Sequence, residues 1–458
     1  DSVTTIGDYA FSENSLTDVI IPDSVTTIGD YAFSENSLTD LIIPDSVTTI
    51  EDHAFRENSL TSLTLSSNLN TIEASAFSQN LLTDLIIPNS VTIIEDHAFR
   101  ENSLTSVTLS TNLKTIGYTS FYKNSLTDLI IPDSVTTIGD HAFRENSLTS
   151  VTLSSNLNTI GDYAFYKNSL TDLIIPDSVT TIGDNAFREN QLTDLIIPDS
   201  VTTIGDYAFR DNSLSNISLS NNLTSIGRSA FLNSKLTTVV IPDSVISIGE
   251  GSFEGSNLLE QVVLSKNLVN IESCCVFANT ALKVIDIPPS VKRIHSGAFT
   301  STHSLTNIKF LGDRPTIIEQ EYAPIDMGAK NILITYCSGT NGWTGTLIWG
   351  LTPINDCDID GVLDSDDAFP RDITESVDTD LDGIGNNADL DDDSDGVVDN
   401  IDLFPLDSTE TIDTDGDLIG NNADSDDDND GVEDTDDKYP LNSLYSADSD
   451  GDGMPDAW

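Results

Sequence analysis

The 458 residues carry 76 acidic and 19 basic side chains, a net charge of −57, with 38% hydrophobic residues and four cysteines. Such a chain has no basic face to displace counterions from a phosphate backbone, which excludes nucleic acid as a partner and disfavours anionic membranes. The length favours two or more units, and the charge is uneven: residues 356–458 hold 33 Asp and 3 Glu against one Arg and one Lys.

No run of 18 apolar residues occurs, so no transmembrane helix is expected. The chain opens without Met, basic leader or apolar stretch, and inside a repeat; a cleaved signal peptide or a partial chain is expected. Four cysteines do not make a disulfide scaffold. Cys337 and Cys357 are candidates for a bond across the boundary near Asp356, with the pairing left open. Adjacent Cys274 and Cys275 read as buried small residues replacing part of a repeat.

From residue 1 the phrase DSVTTIGDYAFSENSLTDVIIP returns every 22 residues up to a start at 243, and two further coils start at 266 and 289. Fourteen coils over residues 1–311 define a repeat solenoid, since one coil cannot bury its apolar face without neighbours. A Phe column runs from Phe11 through Phe33 and Phe55 to Phe299, and Leu38, Leu41, Ile43, Val47 and Ile50 fill one coil junction. Alternating apolar residues point inward from short parallel strands, stacked about 4.8 Å apart. An Asn column (Asn14, Asn36, Asn58 and onward to Asn146) precedes the strand; there the side-chain amide can donate to one coil's carbonyl and accept from another's N–H. The thirteenth position reads Glu101, Lys123, Glu145, Lys167, Glu189, so opposite charges are expected to face each other across coils.

The recurring LTDLIIPDSVTTIGDYAF resembles the BspA-type leucine-rich repeat family over roughly residues 1–350, with coils of 22–23 residues and short parallel strands. That resemblance implies a secreted or surface-exposed bacterial protein that binds host proteins or neighbouring cells. Residues 312–355 read as a capping coil and linker, in which Tyr336, Trp343 and Trp349 would close the open end of the core.

Two outward columns mark a candidate ligand face: Asp18, Asp40, Asp84, Asp128, Asp172 and Asp194, beside Ile20, Ile42, Ile86, Ile130, Ile174 and Ile196. Intervening coils carry Ser and Thr instead, so TDLIIP and TSVTLS types alternate with a period of about 44 residues. An exposed Ile stripe beside an acid stripe is an interaction surface or simply good strand sequence. His53, His97 and His141 share a column with Tyr9, Tyr31 and Tyr163, two coils apart; that is too far to share an ion, so they read as surface residues. No catalytic motif occurs and no enzyme is expected.

After residue 355 a 35-residue repeat takes over, built of loops with Asp at positions one, three and five, Gly at six and an acid at twelve. The first loop holds Asp356, Asp358, Asp360 and Asp367; the second Asp378, Asp380, Asp382 and Asp389; the third Asp391, Asp393, Asp395 and Asp402. The fourth has Asp413, Asp415, Asp417 and Asp424, with Leu418 in place of Gly; the fifth Asp426, Asp428, Asp430 and Asp437. A sixth begins at Asp448, Asp450 and Asp452. Ninth-position Asp364, Asn386, Asp399, Asn421, Asp434 and Asp456 are candidates for direct or water-mediated ligation. Alternate carboxylates curled around one point are calcium chemistry, and about six Ca²⁺ sites are expected. No amphipathic helices flank the loops, whose starts step by 22, 13, 22, 13 and 22 residues. This resembles thrombospondin type-3 repeats over residues 356–458, but without their regular cysteines, which implies a mostly irregular array whose cohesion depends on bound ions.

The expected function is recognition or adhesion at the cell surface or in the medium: a solenoid binding an extracellular protein or glycan, displayed on a calcium-stiffened spacer. A structural subunit assembling through solenoid self-association, and the accessory binding region of a larger secreted enzyme, are the alternatives.

Overall fold

The computed structural model describes residues 2–271, 274–318, 332–343, 345 and 347–456; part of the expected capping coil, 319–331, lies outside them. The chain divides into two compact units, residues 1–334 with 340–353, and residues 335–339 with 354–458. The acidic unit thus begins before Asp356 and takes in a short piece of the expected linker. Thr335 and Tyr336 pair in parallel with Ile354 and Asn355, and Cys337 is joined to Cys357.

In the first unit each coil contributes up to two short strands in a 22-residue register, as Thr5 opposite Thr27 and Asp84 opposite Ser106, which becomes 23 from Thr238 opposite Gln261 onward. Thr-Ile pairs such as Thr71–Ile72 and Thr115–Ile116 build a twelve-stranded parallel sheet, preceded by a three-stranded one ending at Thr49–Ile50. Between the sheets the Phe rings stack with centroids 5.1–5.9 Å apart, and from Phe33 onward the core of Phe, Leu, Ile and Val is almost wholly excluded from water. The Asn column behaves as its position requires. Asn58 donates to the carbonyls of Phe33 and Phe55 and accepts the Leu38 N–H at 3.1 Å, satisfying backbone that neither sheet reaches.

The second set of strands does not stack evenly. Asp40–Ile42 bonds to Ser62–Thr64, Asp84–Ile86 to Ser106–Thr108, and Asp128–Ile130 to Ser150–Thr152, each as a separate two-stranded sheet. Each TDLIIP strand therefore pairs with the TSVTLS strand that follows it. Side chains at the coil end explain the choice. Ser66 and Ser154 donate to the carbonyls of Val47 and Val135, a bond for which Pro44 and Pro132, in the same column of TDLIIP coils, have no donor. Asp84 and Asp128 accept hydroxyl hydrogen bonds from Ser106 and Ser150 at 2.6 and 2.7 Å. Where two TDLIIP coils meet, Asp172 falls in register with Asp194, and the segment 172–174 forms no strand. Like charges directly opposite oppose pairing.

Two positions are left-handed in each coil before the one beginning at 289, where Ser301 alone is. His53, His97 and His141 at the ninth position have φ of 59–61°, and Glu57, Glu101 and Glu145 at the thirteenth have φ of 54–55°. The expected cross-coil charge pairing is found for Lys123 and Glu101, at 3.7 Å. Glu57, Glu145 and Glu189 pair instead with the Arg preceding them in their own coil, because this turn brings neighbouring side chains together. Cys274 and Cys275 correct their reading as buried residues: both are half-buried and their sulfurs are joined. At the end of the Phe stack, Trp343 packs on Phe310 with centroids 5.0 Å apart, and Trp349 lies edge-on to Phe299. Tyr336 belongs to the other unit.

Candidate functional site

Strand geometry turns both predicted columns outward. Leu41, Leu85, Leu129 and Leu195 point into the core, so their neighbours on either side must face water. Asp18, Asp40, Asp84, Asp128, Asp172 and Asp194 are all exposed. The isoleucines stand out further: Ile20 and Ile174 are 86% and 84% exposed, and Ile42, Ile86, Ile130 and Ile196 are at 70–71%. A depression of about 640 Å³ opens around Ile130, floored by Leu109, Leu129 and Leu153 and lined by Pro132 and Asp128. Smaller ones lie around Ile174 and between Ile20 and Ile42. The hydroxyls of Ser150 and then Thr127 hold the Asp128 carboxyl below its ordinary range; Asn216 and then Thr193 do so for Asp194. These donors are neutral, so the carboxylates keep their charge.

The histidine column is half-buried rather than fully on the surface. Tyr31 stacks on His53 at 4.4 Å and His141 on Tyr163 at 4.6 Å. Burial, and then Arg56, Arg100 and Arg144 of the same coils, push the three imidazoles below their ordinary pKa.

In the acidic unit the loops share one hydrogen-bonding plan. The first Asp accepts the N–H of the sixth residue, as Asp378, Asp391, Asp413, Asp426 and Asp448 do from Gly383, Gly396, Leu418, Gly431 and Gly453. The fifth Asp caps the seventh N–H in all six loops, as Asp360 does for Val362. Oxygens of Asp356, Asp358 and Asp360 then lie within 4.8 Å of one another. The triplets starting at Asp378, Asp391, Asp413 and Asp426 converge in the same way. Leu418 adopts φ 75° where the other loops place glycine, so the fourth loop keeps the turn in spite of its substitution.

Orphaned oxygens test what this arrangement can hold. Asp358 and Asp367, Asp393 and Asp402, and Asp428 and Asp437 are the third and twelfth residues of loops one, three and five. Each is buried, and each has an oxygen with no hydrogen-bond partner. Burial first, and then neighbouring carboxylates, raise the pKa of Asp358, Asp393 and Asp428. Clustered hard anionic oxygens of this kind fit a hard divalent cation. The ninth residues also close the loops. Asp364, Asp399 and Asp434 accept the N–H of the second residue across the loop, and Asn386 and Asn421 do the same. Asp364 also receives the Ser338 N–H on its second oxygen. In loops two and four, Asp389 and Asp424 turn one oxygen to the first N–H of the next loop, Asp391 and Asp426.

The fold defines a class, the parallel β-solenoid of leucine-rich coils. The chain belongs to the BspA-type leucine-rich repeat family, whose repeat region matches residues 1–102, 73–193 and 180–306, with six copies. Among solved structures it is similar to a leucine-rich repeat protein from Bacteroides ovatus (26% identity, 73% of this chain and 83% of that chain, TM-score 0.49). It is also similar to a leucine-rich cell surface protein from Faecalibacterium prausnitzii (24% identity, 74% and 89%, TM-score 0.32). The pneumococcal vaccine antigen PcpA matches at 20% identity over 70% and 92%, with a TM-score of 0.45. No curated protein matches the chain. No helix among the described residues is long and apolar enough to cross a membrane.

Proposed function

We propose that this chain is the recognition part of a bacterial surface or secreted protein, binding an extracellular protein or glycan through the strand face of its solenoid. The exposed Ile column beside unneutralised carboxylates carries this reading, because a regular apolar stripe on one face is the kind of surface that a partner covers. The family, and the cell surface protein among the similar structures, support the location.

The acidic unit acts in this reading as a calcium-dependent, thrombospondin type-3-like spacer. Residues one, three, five and twelve of the loops would hold the ion, which supplies positive charge to a unit whose side chains sum to −34. The buried carboxylate oxygens without partners support this assignment. Binding of the purified chain to glycan arrays and matrix proteins, with and without chelator, tests the whole. Selective binding is the expected result, and uniformly negative screens would overturn the recognition role.

A further inference from the structure

We propose that the strand face takes an extended, cationic polyproline-II segment with an aliphatic side chain at every third residue. This rests on the strand face being the recognition surface, and names the chemistry of its partner.

Charge sets the first condition. The seven-residue strand stretches from 16–22 to 236–242 contain Asp but no Lys or Arg. Arg56, Arg100, Arg144, Arg188 and Arg210 sit at the twelfth position of their coils and are already paired with the following acid. The face therefore complements lysine or arginine and repels acidic chains.

Spacing sets the second. Pairing of the coils puts an isoleucine on every second strand, with Thr64, Thr108 and Thr152 on the strands between. Ile42, Ile86, Ile130 and Ile174 hold this phase without interruption, and Asp40, Asp84, Asp128 and Asp172 keep it beside them. At about 4.8 Å per strand, two coils advance about 10 Å. Three residues of an extended chain cover that distance. In a β-strand, residues three apart point to opposite sides. In polyproline II, with three residues per turn and about 3.1 Å per residue, they point to the same side and repeat every 9.3 Å or so. Only the second conformation seats an aliphatic group at each isoleucine while presenting a cation to each carboxylate.

The phase also sets a length. Beyond Ile174 the next isoleucine, Ile196, comes one coil later instead of two, so the register ends after four sites. Synthetic (Pro-Lys-Val)n peptides, titrated against the full chain by fluorescence anisotropy, are expected to tighten up to about four triplets and then level off. An alternating (Lys-Val)6 should bind at least tenfold more weakly, and (Pro-Glu-Val)4 not at all. The variant Asp84→Ser, Ile86→Thr, Asp128→Ser, Ile130→Thr uses residues that coils of the TSVTLS type already carry in these columns. It is expected to keep the circular dichroism of the parent and to lose at least tenfold in affinity for (Pro-Lys-Val)4. Equal affinity of the alternating peptide, or an unchanged affinity of the variant, overturns the proposal. If the variant loses binding to a surface or matrix ligand while no cationic peptide binds the parent, the proposal falls and the recognition face stands. If the variant keeps every ligand, both fall.

Discussion

His53, His97 and His141 stand where other coils carry Tyr, and each ring packs on a neighbouring aromatic side chain. Burial and the adjacent Arg lower all three imidazole pKa values, while Asp52 and Asp30, Asp96, and Asp140 and Asp162 pull them the other way. Because the folded values lie below the unfolded one, their contribution is complete above the ordinary imidazole range near 6.5 and is lost as pH falls through the depressed values. The denaturation midpoint of the solenoid should therefore drop between pH 7 and pH 5. The triple variant His53→Tyr, His97→Tyr, His141→Tyr should flatten that slope, and an equal slope in parent and variant would refute the assignment. The sequence shows the histidines as surface residues because period and exchange with Tyr reveal a column but not its depth. The left-handed backbone beneath them was legible at one place. In the coil beginning at Asp243, Gly251 and Gly255 fill the ninth and thirteenth positions, and every other coil places a residue with a side chain on at least one of them. By contrast, the Phe and Asn columns were plain from period alone, since each has one physical task in every coil.

At the scale of strands and coils, the structural unit is two coils and not one. The 44-residue alternation was visible in the sequence, but its consequence turns on Ser66 and Ser154 stitching backward where Pro44 and Pro132 have no donor, which needs the coils in register. A paired test follows. Deleting residues 89–132 removes two coils and joins a TDLIIP coil to a TSVTLS coil, restoring a native junction. Deleting residues 89–110 removes half as much chain but sets Asp84 against Asp128. Thermal melting should show the larger deletion closer to the parent, by about 1–2 °C for each kcal/mol of difference in a unit of this size. The reverse order would mean that the coils add independently, as a uniform nearest-neighbour stack does.

For the whole molecule, the two units differ in what holds them. The solenoid carries a continuous apolar core, whereas the acidic unit has one Arg and one Lys against 36 carboxylates in residues 356–458. On the proposed calcium-binding reading, adding a chelator to the calcium-supplied full chain should open residues 358–456 to proteolysis and rapid hydrogen exchange. The melting transition of the solenoid should stay where it was; a solenoid that melts earlier with chelator, or an acidic unit that stays protected, would contradict this division. The loop spacing in the sequence already marked positions one, three and five. The hydrogen bond by which the ninth residue closes the loop on the second N–H was not legible, because it depends on how the loop folds and not on its spacing. Spacing alone leaves the pairing of Cys337 with Cys357 open; the parallel pairing of Thr335 and Tyr336 with Ile354 and Asn355 is what brings the two sulfurs together. That bond also decides where mechanical load travels. Tension arriving along the chain at Cys337 leaves at Cys357 through sulfur, so residues 338–356 lie off the path. Trp343 and Trp349, seated on Phe310 and Phe299 by their rings, fall within this bypassed segment.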